Sequence, residues 1–305
     1  MKIIKSYISG LKRGAGASRI ITIIYGITLL IGLTAAFTFD SVLKGAVGSR
    51  PLVYKLLSDF DFTVYSDLMK NYGDLITSII SNFLWLGVFY FLFTIFFAGG
   101  VLKYFESTSG RNRGEIFFSG SAKYFFRFLR LGIYTLLIQL LFFSIIAALF
   151  GAIFAGLSDT STEPAYVAVL ILWGAVHGLA FIFVSASSDY GKIIIVKEDS
   201  KKVLRAFYGG LIFTVKKIFL TLPLYILLLL APAIIIALYF WFESLIFMKS
   251  AVTIMLLLAV QQAVIWGRIF SKVWILGSEY ELYKTCLDEK IQPMLTQEIL
   301  LNENL

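Results

Sequence analysis

The sequence predicts an all-α fold: a polytopic membrane protein with six transmembrane helices. Three observations carry that expectation. The 305 residues are 59% hydrophobic and only 15% charged, whereas a soluble domain carries about 25% charged residues. Six apolar runs each approach the roughly 20 residues that a helix needs to cross the hydrocarbon core. The segments between these runs alternate between many and few Lys and Arg. Stretches such as LLLLAPAIIIALYF lack the apolar–polar alternation of a membrane β-strand, so helices are the expected spanning element.

In chain order, the segment near 2–18 is basic and amphipathic and reads as an interfacial helix before the first span, Ile20–Phe39. That span has a basic flank and the small residues Thr34-Ala35-Ala36, as a cleavable signal would. Its apolar run exceeds the ~7–15 residues of a signal core, and it belongs to the repeat described below, so it is expected to be retained. An outside loop, 40–78, follows, with short helices expected around Val53–Leu57 and Val64–Met69. Its Asp59, Asp61, Asp67 and Asp74 read as a solvated surface. The second span is Ile79–Val101. A second interfacial segment, 114–129, leads into the hairpin of Leu131–Ala155 and Ala165–Ser185, and a third, 200–216, into Phe219–Phe240. Pro223 and Pro232 in this fifth span each remove a backbone donor. The freed carbonyls need partners on neighbouring helices, which places the span inside the bundle. The sixth span, Ala251–Phe270, is followed by a tail, 278–305, expected to form a short helix.

Charge sets the orientation. Five Lys and Arg precede the first span, six lie in the second loop, seven in the fourth and four at the inner end of the last span and beyond it (Arg268, Lys272, Lys284, Lys290), so one side collects 22 of the 27. Lys and Arg stay cytoplasmic. Both termini and the even-numbered loops are therefore expected on the cytoplasmic side of the membrane. Topogenesis and anionic headgroups account for the basic balance, and no nucleic acid is expected as a partner.

A local pattern recurs before each odd-numbered span. YISGLKRGAGASRIITIIYGITLL, FFSGSAKYFFRFLRLGIYTLLIQL and FYGGLIFTVKKIFLTLPLYILLLL begin at Tyr7, Phe117 and Phe207. Each places an aromatic residue three positions before a glycine (Gly10, Gly120, Gly210), then basic residues, then a tyrosine in the apolar run (Tyr25, Tyr134, Tyr225). In the second copy Ser119, Lys123, Arg127 and Arg130 form a polar stripe opposite Phe117, Phe118, Tyr124, Phe125, Phe128 and Leu129. A helix so divided lies in the headgroup plane. The glycine permits close approach or a bend. Three parallel repeats of interfacial helix plus two-span hairpin are expected. Many transporters are built instead from inverted repeats.

FFAGGVLKYFE, leading into FFSGSAKYFFRFLRL, and DYGKIIIVKEDSKKVLRAFYGGLIFTVKK from Asp189 to Lys217 resemble a family of uncharacterised bacterial six-span membrane proteins. A more distant similarity is to the membrane domain of some bacterial glycerophosphodiester phosphodiesterases. The resemblance implies a bacterial cytoplasmic membrane protein. It carries over no activity, because the catalytic barrel of those enzymes is missing from this chain.

Polar residues inside spans are candidate sites. His177 reads as a neutral histidine hydrogen-bonded across a helix interface, flanked by Gly174 and Gly178, a spacing that permits close helix packing. Gln139, Gln261 and Gln262 read as interhelical polar contacts or the lining of a substrate path. Asp189 is expected to pair with Arg268 or Lys272. Lys123, Arg127, Arg130, Lys216 and Lys217 are the candidate lipid-headgroup contacts. A Ser–His–Asp triad is excluded, because His177 lies about 18 Å by helical rise from Asp189. No nucleotide loop, paired catalytic carboxylates or metal-ligand spacing appears, and the single Cys286 and single His177 leave no metal cluster to build. No cofactor is expected. The expected function is non-enzymatic: an integral membrane protein organising lipids or partner proteins at the cytoplasmic face. A transporter or permease for a small solute or lipid is the alternative.

Overall fold

The computed structural model describes residues 2–47, 62–107, 112–157, 163–246 and 250–303. Among these residues there is no strand, and eight helices follow one another: α1 (Lys2–Gly16), α2 (Ser18–Val47), α3 (Phe62–Glu106), α4 (Arg113–Gly156), α5 (Glu163–Lys197), α6 (Val203–Lys216), α7 (Ile218–Leu245) and α8 (Ala251–Glu303). Six of them, all but α1 and α6, are long and apolar enough to cross a membrane. The chain is a multi-pass membrane protein.

The chain forms two compact units, Thr22–Thr94 on one hand and Met1–Ile21 with Ile95–Leu305 on the other. In the smaller unit, Phe39 of α2 meets Phe83 of α3 with ring centroids 6.4 Å apart, and Asn82 lines the gap beside them. The short helix expected at Val64–Met69 is the opening of α3, which runs unbroken from Phe62. The one expected at Val53–Leu57 lies outside the described residues.

In the larger unit the buried side chains gather at the Lys/Arg-rich ends of the helices. Leu102, Phe117, Phe128, Leu131, Ile193 and Leu282 are fully buried there. The apolar windows of α4 and α5 are each only 6% buried. In water such surfaces would drive aggregation. In a bilayer they face a solvent as apolar as themselves, and burial against protein gains little. The same reasoning corrects the expectation for α7. It remains helical through Pro223 and Pro232 and buries only Thr221, Leu224 and Leu228, while Leu230, Ile234 and Leu238 are exposed. The prolines do not place this helix inside a bundle.

The three motif glycines sit at helix crossings. A Cβ at Gly10 of α1 would lie 2.5 Å from the Ser278 backbone nitrogen on α8. At Gly120 of α4 it would lie 2.5 Å from Lys103 Cβ on α3, and at Gly210 of α6, 2.3 Å from the Ser187 carbonyl oxygen on α5. Main chains approach this closely only where one partner lacks a side chain.

α1 and α6 are alike in more than the glycine. α1 buries Ser6, Gly10 and Gly14 and α6 buries Ala206, Gly210 and Thr214, the same register 200 residues on. Exposed Ile4 and Ile8 match exposed Leu204 and Tyr208. Each helix ends seven residues after its glycine at a one-residue break, Ala17 or Lys217, before the next helix begins. The segment expected as a third such helix, 114–129, is not separate: it is the first part of α4, which continues through Arg127. The tail also differs from expectation. No short separate helix forms, because α8 continues for 53 residues from Ala251.

Candidate functional site

The chain reverses between α5 and α6 in a tight turn. Asp199 adopts a left-handed conformation, φ 46°, which Asp tolerates better than most residues. Glu198 N–H donates to the Ile194 carbonyl at 2.9 Å and Ser200 N–H to that of Ile195 at 3.2 Å. The Asp199 carboxylate accepts from Lys123 Nζ at 2.8 Å and Arg127 Nη1 at 2.6 Å, and Arg127 also donates to the Asp199 carbonyl. Hydrogen bonds from Lys123 and then Arg127 hold the carboxyl down at about 2, against an ordinary 3.8. Two of the candidate headgroup contacts are thus engaged in fastening α4 to this turn, and Arg127 is only 13% exposed.

The turn lays α6 back along α5 and leaves a cavity of about 430 Å³ between the end of α5, α6 and α8. Phe213 and Tyr283, with ring centroids 5.0 Å apart, wall it. Arg205, Lys216 and Lys217 line it against one carboxylate, Glu198, and half-buried Cys286 opens onto it. Lys216, Lys217 and Arg205 are exposed, as is Arg130 on α4.

A second polar group is buried nearby. Asp189 pairs with Lys192 on its own helix at 2.6 Å, a nearer partner than the α8 cations expected from sequence. Arg268 and Lys272 are exposed on α8 and engaged in interactions there. Glu279, 1% exposed, lies within electrostatic range of Asp189 and Lys192, yet neither of its carboxyl oxygens has a hydrogen-bond partner. Burying an ionised carboxylate without a partner costs several kcal/mol or more. Between α4 and α5, Gln139 Nε2 donates to Ser185 Oγ at 3.1 Å and Thr135 Oγ1 to Ser188 Oγ at 2.8 Å. Glu279 is not singled out by the sequence because it falls in the polar tail, 278–305. The signal was the small and apolar spacing of Trp274, Ser278 and Leu282, which continues the buried face of α8 past the sixth apolar run.

Arg13 was also counted only as a topology signal. It pairs with Glu281 of α8, donates to the Phe105 carbonyl of α3 at 2.8 Å, and lies over the Tyr280 ring at 5.2 Å. Trp274 Nε1 donates to the Tyr7 carbonyl at 3.0 Å, and Lys2 pairs with Glu289 at 2.6 Å. α1 is thereby tied along α8.

The intramembrane candidates do not converge. His177 sits between the Phe143 and Trp173 rings, at 5.1 and 5.9 Å, and its buried Nδ1 has no hydrogen-bond partner among the described residues. A Cβ on Gly174 or Gly178 would meet nothing within 4 Å, so among the described residues no helix packs against this pair. Gln139 joins α4 to α5. Gln261 donates to Tyr239 across a different pair, α8 and α7, at 3.0 Å, and Gln262 beside it has an interaction too. No family model, no curated protein and no solved structure matches this chain, so the arrangement itself must carry the functional reading.

Proposed function

We propose that this is a non-enzymatic integral membrane protein that organises lipids at the cytoplasmic face of a bacterial inner membrane, with both termini inside. One observation carries the reading. α1 and α6 turn their small residues toward the protein and leave Ile4, Ile8, Leu204 and Tyr208 uncovered beside Lys5, Lys12, Lys201 and Lys202. Apolar side chains uncovered beside cations suit the boundary between headgroups and acyl chains, where the rings and aliphatics sink and the cations meet phosphate. Of the candidate headgroup contacts, Arg130, Lys216 and Lys217 fit the role best, since Lys123 and Arg127 are engaged by Asp199.

The test is the lipid that stays with the purified protein, measured by native mass spectrometry. Anionic phospholipid is expected to be retained, and retention to fall in a variant combining Arg130→Gln, Lys216→Gln and Lys217→Gln. Retention unchanged in that variant counts against the reading. Buried, unpartnered Glu279 favours a second reading, a transporter or permease for a small solute or lipid. It requires saturable flux in liposomes that Glu279→Gln abolishes. Absence of flux in the unaltered protein rejects it.

A further inference from the structure

We propose that the pocket between the end of α5, α6 and α8 binds the phosphate-bearing headgroup of an anionic phospholipid. The inference rests on the lipid-organising reading and deepens it by assigning a site and a ligand class. At about 430 Å³ the pocket falls within the ~300–1,000 Å³ typical of small-molecule sites. Three cations against one carboxylate leave it with a surplus of two positive charges.

Helix stability accounts for only part of that surplus. Lys216 closes α6 and Lys217 follows it, where cations answer the negative end of the helix dipole. Arg205 sits in the first turn, which contains no acidic residue, and there the dipole disfavours a cation. Its position is explained by an anion in the pocket. The floor and walls are apolar, with Ile194, Phe213, Tyr283 and Leu287, which suits an amphiphile better than a free inorganic anion. Beside the two lysines the uncovered surface continues through Val215, 51% exposed, to Phe219, 88% exposed. That is a path for acyl chains leading away from a headgroup held by Lys216 and Lys217.

Cys286 lines the pocket and is the only cysteine in the chain, so its alkylation reports occupancy directly. The full-length protein is reconstituted in phosphatidylcholine vesicles, in the same vesicles with phosphatidylglycerol added, and in phosphatidylcholine vesicles with inorganic phosphate. The rate of reaction with neutral, membrane-permeant N-ethylmaleimide is then measured. Phosphatidylglycerol is expected to slow labelling about fivefold, the value for a site four-fifths occupied, and inorganic phosphate to leave it unchanged. The protection, read as the ratio of each variant's own rates with and without phosphatidylglycerol, is expected to vanish in the variant combining Lys216→Gln and Lys217→Gln and to weaken in Arg205→Gln. Loss of the Lys217 charge beside Cys286 slows labelling in phosphatidylcholine alone as well. Should the lysine variant label faster in phosphatidylcholine alone, its fold is disturbed and Arg205→Gln decides. No slowing by phosphatidylglycerol overturns the proposal. So does equal slowing by phosphate, which marks a free-anion site, or slowing that persists in all the variants, which reports surface potential alone. Anionic lipid that co-purifies with a protein whose Cys286 is unprotected rejects the pocket and spares the broader reading. If no lipid co-purifies, both fall.

Discussion

Gly10 and Gly210 sit where an added methyl group would run into main chain, on Ser278 and Ser187. Backbone cannot swing aside as a side chain can, so Gly10→Ala and Gly210→Ala should each cost about 1–3 kcal/mol through overpacking. Gly120→Ala should cost a comparable amount, because the Lys103 Cβ it meets at 2.5 Å is fixed to the main chain and moves only with it. Gly174→Ala meets nothing within 4 Å and should be neutral or stabilising by roughly 0.5–1 kcal/mol, since alanine favours the helix. The thermal midpoints of the first three variants in one detergent should all fall below that of Gly174→Ala. Equal midpoints for Gly10→Ala and Gly174→Ala would disprove the crossing. All four glycines were visible in the sequence, and only the first three were flagged by an accompanying aromatic residue. Gly174 and Gly178 were flagged by spacing, and that flag misled because four-residue spacing defines a helix face without saying whether another helix lies against it.

At the scale of elements, the turn between α5 and α6 is fastened to α4 by one carboxylate and two cations. Asp199 is 53% exposed, so each pair is worth only about 0.2–1 kcal/mol. The pH dependence is the sharper test. With the folded pKa lowered from 3.8 to about 2, the contribution is fully present above the ordinary value and is lost as pH falls toward the lowered one. Asp199→Asn keeps the residue type's tolerance for the left-handed turn and removes the charge. It should therefore lower the thermal midpoint at neutral pH. The gap from the unaltered protein should close as pH drops from 3.8 to about 2. A gap that persists at the acid end would mean that the carboxylate charge is not what stabilises the turn. α1 and α6 stop seven residues past their glycines, whereas α4 continues through the equivalent Arg127, which is held by Asp199. Sequence periodicity reads the three segments as alike and has no means of seeing that clamp, whose partners are 72 residues apart.

For the whole molecule, we propose a threefold repeat from the shared register of α1 and α6 and the three glycine crossings. In that reading each amphipathic segment packs on the end of an even-numbered span, Gly120 on α3, Gly210 on α5, and Gly10 back on α8. The orientation is proposed from charge and can be checked directly. A fluorescent protein that matures only in the cytoplasm, fused after Leu305, should glow, and alkaline phosphatase at the same point should stay inactive. The reverse result would place the basic pocket and the uncovered faces of α1 and α6 on the other side of the membrane. Six apolar runs and their alternating charge were legible because hydropathy and topology are sums over contiguous residues, and lipid rewards each span independently of its neighbours. The sequence by itself therefore determined that this protein crosses a membrane on helices, and it marked the residues at which those helices cross. Only the tertiary structure decided that Glu279 is buried, that Arg13 joins three helices, and that Arg205, Lys216 and Cys286 share one pocket. Those outcomes depend on partners as far apart as Tyr7 and Trp274, 267 residues along the chain, and no local pattern records which distant surface a side chain will meet.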